Sequence, residues 1–156
     1  ARPDIETAIS FLTTRVQQPD VDDWKKLKRV LIFLHCTIED VRIIGCDNLN
    51  SIFTWIDASY AIHPNMRSHT GGCMSFGMGM TNARSSKQKL NTKSSTEAEL
   101  VGVSDYLPYN IWLMHFMKEQ GFELEVNILY QDNQSAMKLE NNRRQSSGKC
   151  TLHINI

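Results

Sequence analysis

The sequence predicts an α/β fold, a mixed sheet with flanking helices preceded by a helical hairpin. Three observations carry this expectation. Apolar residues recur at helical spacing through the first 34 positions, three strand-like runs joined by Gly-rich turns follow from residue 51, and the remainder alternates a long helix, an apolar strand and a further helix. With 156 residues, 41% hydrophobic and 8% aromatic, the chain can build an ordinary core as one compact domain with an appended segment.

Ile5, Ala8, Ile9, Leu12 and Val16 place a first helix over 4–16, with Pro3 and Asp4 as start residues. Pro19 breaks it, and Asp22 or Asp23 starts a second helix whose apolar stripe is Trp24, Leu27, Val30, Leu31 and Leu34. The opposite face carries Lys25, Lys26, Lys28 and Arg29, which suits either a solvated surface or a nucleic-acid backbone. Residues 41–44 read as a short strand, and the turn-rich CDNLNS after them sets a boundary that divides the chain into 1–48 and 49–156. SIFTWIDASYAI, CMSFGMGM and the stretch 82–90 form a three-stranded meander, in which Met74, Met78 and Met80 read as packing. A long helix then covers 94–120, with Ala98, Val101, Leu107, Ile111, Met114 and Phe116 apolar and Pro108 expected to bend it. VNILYQ is a strand, and DNQSAMKLE opens the last helix.

Seventeen basic residues balance seventeen acidic ones, so any polyanionic partner must be met by local clusters. Cys36, Cys46, Cys73 and Cys150 show no paired spacing, which argues against zinc and for free thiols in a reducing, intracellular compartment. No apolar run approaches the roughly 20 residues of a membrane span, so no membrane partner is expected. The chain lacks an initiator Met and stops inside the alternation LHINI, so both ends are expected to be cut.

Three carboxylates call for a reason. Asp57 interrupts the apolar run FTWIDASY; it either ends the strand and caps a turn with Ser59, or serves chemistry, because an ionised carboxylate is costly to bury unpaired. Asp132 follows VNILYQ and precedes a helix, so it is either an N-cap or an acid projecting from a strand's carboxyl end into a ligand cleft. Glu97 and Glu99 open the long helix, and two residues of separation turn their side chains about 200° apart, so at most one faces a cleft. If Ser94 caps and Glu97 closes the box, Glu99 is free. Converging oxygen ligands of this kind suit Mg²⁺ or Mn²⁺.

IDASYAIHPNMRSHTGGCMSFGMGM, SSKQKLNTKSSTEAELVGVSDYL and ILYQDNQSAMKLE resemble, in this order, the ribonuclease H domain of copia-type retrotransposon polyproteins. RPDIETAISFLTTRVQQPDVDDWKKLKRVLIFL is similar to the connection that follows the reverse transcriptase. The resemblance implies a ribonuclease H-like mixed five-stranded sheet and metal-dependent cleavage of the RNA strand of an RNA–DNA hybrid, using two Mg²⁺ or Mn²⁺ ions. It also implies that the rest of the Pol polyprotein, including reverse transcriptase, is a partner, in a cytoplasmic particle or the nucleus. Carried onto this chain, the acids fall on Asp57, Glu99 and Asp132. Where a fourth acid is expected the sequence has Asn155, which either takes its place at the metal or leaves it beyond the chain. The alternative is therefore a silent tether that keeps the fold and the grip on nucleic acid without the chemistry. His153 is either structural or the counterpart of a family histidine that aids product release.

Arg84, Lys87, Lys89 and Lys93 form a basic cluster suited to phosphate contacts that read no sequence. Lys138, Arg143, Arg144 and Lys149 form a second basic stretch. Asn133, Gln134 and Ser135, beside Asp132, are the side chains that could meet 2′-hydroxyls.

Overall fold

The computed structural model describes residues 2–46 and 48–141. A 3-10 turn at Pro3–Ile5 leads into α1 (Glu6–Thr13), followed by α2 (Val21–Cys36), β1 (Gly45–Cys46), β2 (Ser51–Ser59), β3 (His69–Ser75), β4 (Gly77–Met78), β5 (Met80–Lys87), α3 (Ser95–Glu119), β6 (Val126–Tyr130) and α4 (Gln134–Asn141).

The helical hairpin is present with shifted ends. Thr13 and Thr14 turn their hydroxyls back onto the carbonyls of Ser10 and Phe11, a local competition that accompanies the end of α1 three residues before Val16. The start of α2 falls to Asp20 rather than Asp22 or Asp23: its carboxylate accepts from the Asp23 amide, and the Asp23 carboxylate accepts from the Asp20 amide. Arg15 donates to the buried Asp23 at 3.0 Å, tying the exit of α1 to the entry of α2. Of the expected α2 stripe Val30 is buried and Leu27 and Leu34 are half-buried, while Trp24 and Leu31 stay exposed.

The expected strand over 41–44 is displaced to β1. It pairs antiparallel with β4 as a separate two-stranded sheet, and Gly79, at φ +74°, lets the Ile43 carbonyl come closer than a Cβ would permit.

The main sheet has the order β5-β3-β2-β6, antiparallel except for the parallel pair β2–β6. It has four strands among the described residues; the fifth strand implied by the resemblance would fall near 152–156, outside them. Alternation in β2 buries Ile52, Thr54, Ile56 and Ala58 toward α3. Ile56, Met74, Val103 and Tyr106 form the core there, with Tyr109, Leu113 and Leu129 packed around it. In this layer buried Asn110 exchanges two amide hydrogen bonds with exposed Asn127 and also donates to buried Thr54 at 2.7 Å, so α3, β2 and β6 are joined through bonds that satisfy the buried Asn110 amide. Helix α3 continues through Pro108. On the other side α1 packs against β5, where Phe11 stacks on His63. This arrangement is consistent with the ribonuclease H-like fold that the resemblance implies. No helix among the described residues is long and apolar enough to cross a membrane.

Candidate metal centre and cleft

The β2–β6 register decides which side chains meet. Trp55 pairs with Tyr130 in the parallel ladder, so two residues further along each strand direction bring Asp57 beside Asp132. Strand β2 does not end at Asp57; it runs on through Ser59, with Asp57 opposite Gly71 of β3. Asp57 is also not buried, as the apolar context suggested. It is exposed on the same side of the pleat as Trp55, out of the buried row of Ile52, Thr54, Ile56 and Ala58.

Glu99 arrives from the first turns of α3. Ser94 is the N-cap, accepting from the Glu97 amide at 3.1 Å, and the Glu97 carboxylate reaches back to the Lys93 amide at 2.6 Å. With capping assigned to these two, Glu99 faces the sheet and is only 5% exposed. Its carboxyl is pushed above the usual carboxylate range, first by burial and further by the charges of Asp57 and Asp132, while hydrogen bonds from Gln131 and from the Ala58 backbone oppose the shift.

The same division of labour frees Asp132. Asn133, not Asp132, caps α4, accepting from the amides of Ser135 and Ala136 at 3.0 Å each. Asp132 is exposed. Ligand oxygens of Asp57, Glu99 and Asp132 therefore lie within 4.8 Å of one another, one from a strand, one from a helix and one from a strand–helix turn.

Asp57 and Asp132 open onto a cleft of about 710 Å³, whose walls include Trp55, Gly71, Arg84, Tyr130 and, from the N-terminal segment, Glu6. Trp55 and Tyr130 stack with ring centroids 5.1 Å apart. The basic cluster is spread out. Arg84 places its guanidinium 4.6 Å over the Tyr109 ring of α3, Lys87 lies near the His63–His69 pair, and Lys89 and Lys93 are exposed on the approach to α3. None of the four makes an ion pair with another described residue. Gln134 and Ser135 are exposed in the first turn of α4, and Asn133 is committed to its cap. Lys138 is exposed on α4. Arg143, Arg144, Lys149, His153 and Asn155 lie outside the described residues.

No protein-family model matches the chain. Individual relatives do. The retrovirus-related Pol polyprotein from transposon TNT 1-94 of Nicotiana tabacum is 30% identical over 156 residues, 99% of this chain and 12% of that protein. The counterpart from transposon RE2 of Arabidopsis thaliana is 31% identical over 140 residues, 88% of this chain and 10% of that protein. The chain is a homologue of plant-transposon Pol polyproteins. It spans about a tenth of the length of these Pol relatives. It also shares a sequence family with the shorter secreted RxLR effector protein 161 of Plasmopara viticola, 30% identical over 113 residues, 72% of this chain and 80% of that protein.

Two features of this chain escaped the sequence. Gln131 contacts both Glu99 and the turn carrying Asp132; its only sequence signal is a polar side chain between a strand and an acid. The second is a buried relay, with His63 Nε2 3.0 Å from His69 Nδ1 and His69 Nε2 2.7 Å from the Ser85 hydroxyl. Nothing in their sequence spacing distinguishes these histidines from surface ones.

Proposed function

We propose that this Pol segment is a divalent-metal-dependent endoribonuclease that cleaves the RNA strand of RNA–DNA hybrids during reverse transcription of a copia-type retrotransposon. The observation that carries the reading is the convergence of Asp57, Glu99 and Asp132 within 4.8 Å. Three carboxylates this close repel one another, and one of them is buried, so the donor set fits a hard cation that takes oxygen ligands. The three acids would hold Mg²⁺ or Mn²⁺, one ion or a pair. A metal so bound supplies an activated water and charge stabilisation for the leaving oxygen of a phosphodiester.

The chain's own groups supply the rest. Ser94, Glu97 and Asn133 take the helix caps and leave the acids free to bind. Asp57 and Asp132 face the open cleft, which gives a strand's backbone access, while Glu99 anchors the set from below. Lys89 and Lys93 offer exposed charge to phosphates without reading sequence. Residues 1–48 are read as the connection to the polymerase, and the remaining Pol polyprotein as the working partner.

The test is cleavage of a labelled RNA–DNA hybrid by the 156-residue chain in Mg²⁺ and in Mn²⁺, beside Asp57→Asn and Asp132→Asn. Cutting of the RNA strand alone, lost in both variants, is the expected result. Hybrid binding without any cutting would replace the reading with that of a silent tether.

A further inference from the structure

We propose that Gln131 is a positioning residue that sets the spacing of the metal-binding acids, an inference that rests on the metal-dependent reading above. Its amide is used at both ends. Nε2 donates to Glu99 Oε2 at 3.2 Å, while Oε1 accepts from the backbone amides of Asp132 at 2.9 Å and Asn133 at 3.3 Å. One planar group therefore links the carboxylate that α3 contributes to the turn that carries Asp132.

The chemistry restricts which side chain can do this. The position needs a donor for a carboxylate and an acceptor for backbone amides, across the reach of a three-bond side chain. A glutamate keeps the acceptor but turns a second anion toward Glu99; a lysine keeps the donor and loses the acceptor; a leucine loses both. Glu99 is 5% exposed, and apart from Gln131 the donor that favours its charged form is the Ala58 backbone. Loss of the amide leaves a buried carboxylate with fewer donors and a turn without its anchor. Both ligands then sample positions that a metal must reorganise, and such outer partners of ligating carboxylates are worth about 10–100-fold in metal affinity or activity.

The experiment is calorimetric titration of Mn²⁺ into the 156-residue chain, its Gln131→Leu variant and an Asp57→Asn control, with melting curves of each and hybrid-cleavage rates across a Mn²⁺ series. We expect Gln131→Leu to fold with at most a small drop in melting temperature, to bind Mn²⁺ about tenfold more weakly, and to show a cleavage deficit that shrinks as Mn²⁺ is raised. A residue that merely supports the fold would lower the melting temperature without this dependence on metal concentration. If the parent binds Mn²⁺ through Asp57 and Gln131→Leu binds it equally well, the positioning role is wrong while the metal reading stands. If the parent binds no Mn²⁺, the metal reading falls and takes this inference with it. Should the leucine variant fail to fold, Gln131→Met, which keeps length and packing, decides; loss of fold in both makes the role structural and overturns the proposal.

Discussion

Adjacent polar residues in this chain hold separate jobs, and substitutions should separate them. Asn133 caps α4 while its neighbour Asp132 faces the cleft. Asn133→Ala is expected to cost about 1 kcal/mol of stability, the usual worth of an N-cap, with little change in Mn²⁺ affinity; Asp132→Asn should do the reverse. Paired denaturation and calorimetric titration check both halves. Glu99 carries a sharper expectation. Its carboxyl is raised from the ordinary value of 4.5, mainly by burial, so the folded chain holds that proton more tightly than the unfolded one. Its contribution is therefore fully present at low pH and is lost as pH rises from about 4.5 through the higher folded value. Glu99→Gln should raise the melting temperature of the metal-free chain at neutral pH and abolish the response to metal. A metal-free chain destabilised by Glu99→Gln at neutral pH would contradict this account.

Helix α3 lies close to the sheet because β3 presents a glycine beneath it. A Cβ on Gly72 would sit 2.4 Å from the Tyr106 ring, which is itself 1% exposed and cannot move aside. Gly72→Ala should therefore destabilise by roughly 1–3 kcal/mol through overpacking. Gly71→Ala is the control, since its Cβ meets nothing nearer than the Asp57 carbonyl at 4.0 Å. Across the sheet, His63 and His69, 2% and 8% exposed, join the turn after β2 to β3 beneath Phe11. Burial lowers both from 6.5, and Lys87 adds to this at His63, so the folded state resists their protonation. Stability from this pair is present above about pH 6.5 and drains as pH falls through the depressed folded values. Melting curves between about pH 7 and 5 should show that slope, flattened in His63→Gln. These elements also show what a sequence makes legible. Local signals placed α3, because Ser94 and Glu97 act within one turn, and they placed β2, β6 and α4 by periodicity and turn chemistry. Strand β1 was misplaced because Gly45 and Cys46 owe their strand to β4, more than thirty residues later. The exposure of Asp57 was not legible either, since alternation gives two faces and does not say which one α3 covers.

At the scale of the molecule, the hairpin and the sheet share the cleft: Pro3, Glu6 and Thr7 line it beside Asp57, so a boundary near residue 48 divides the sequence more than it divides the site. The three acids were legible as a set only through the order of their motifs, because spacing along the chain says nothing of the register that brings β2 and β6 together. Gln131 was invisible for the same reason, its partner being 32 positions away. On the proposed reading, the global consequence is that the metal-free chain carries a local repulsion which a bound ion would relieve. A ligand that binds only the folded state adds about 2.7 kcal/mol at a hundredfold excess over its dissociation constant. For a chain of this size each kcal/mol moves the melting temperature by roughly 2–4 °C, so Mn²⁺ should raise it by roughly 5–11 °C. Differential scanning calorimetry with Mn²⁺ and then excess chelator checks this directly, the chelator returning the metal-free value and Asp57→Asn showing no rise. An equal rise in Asp57→Asn would place the stabilising ion elsewhere on the molecule and separate the acidic cluster from the metal.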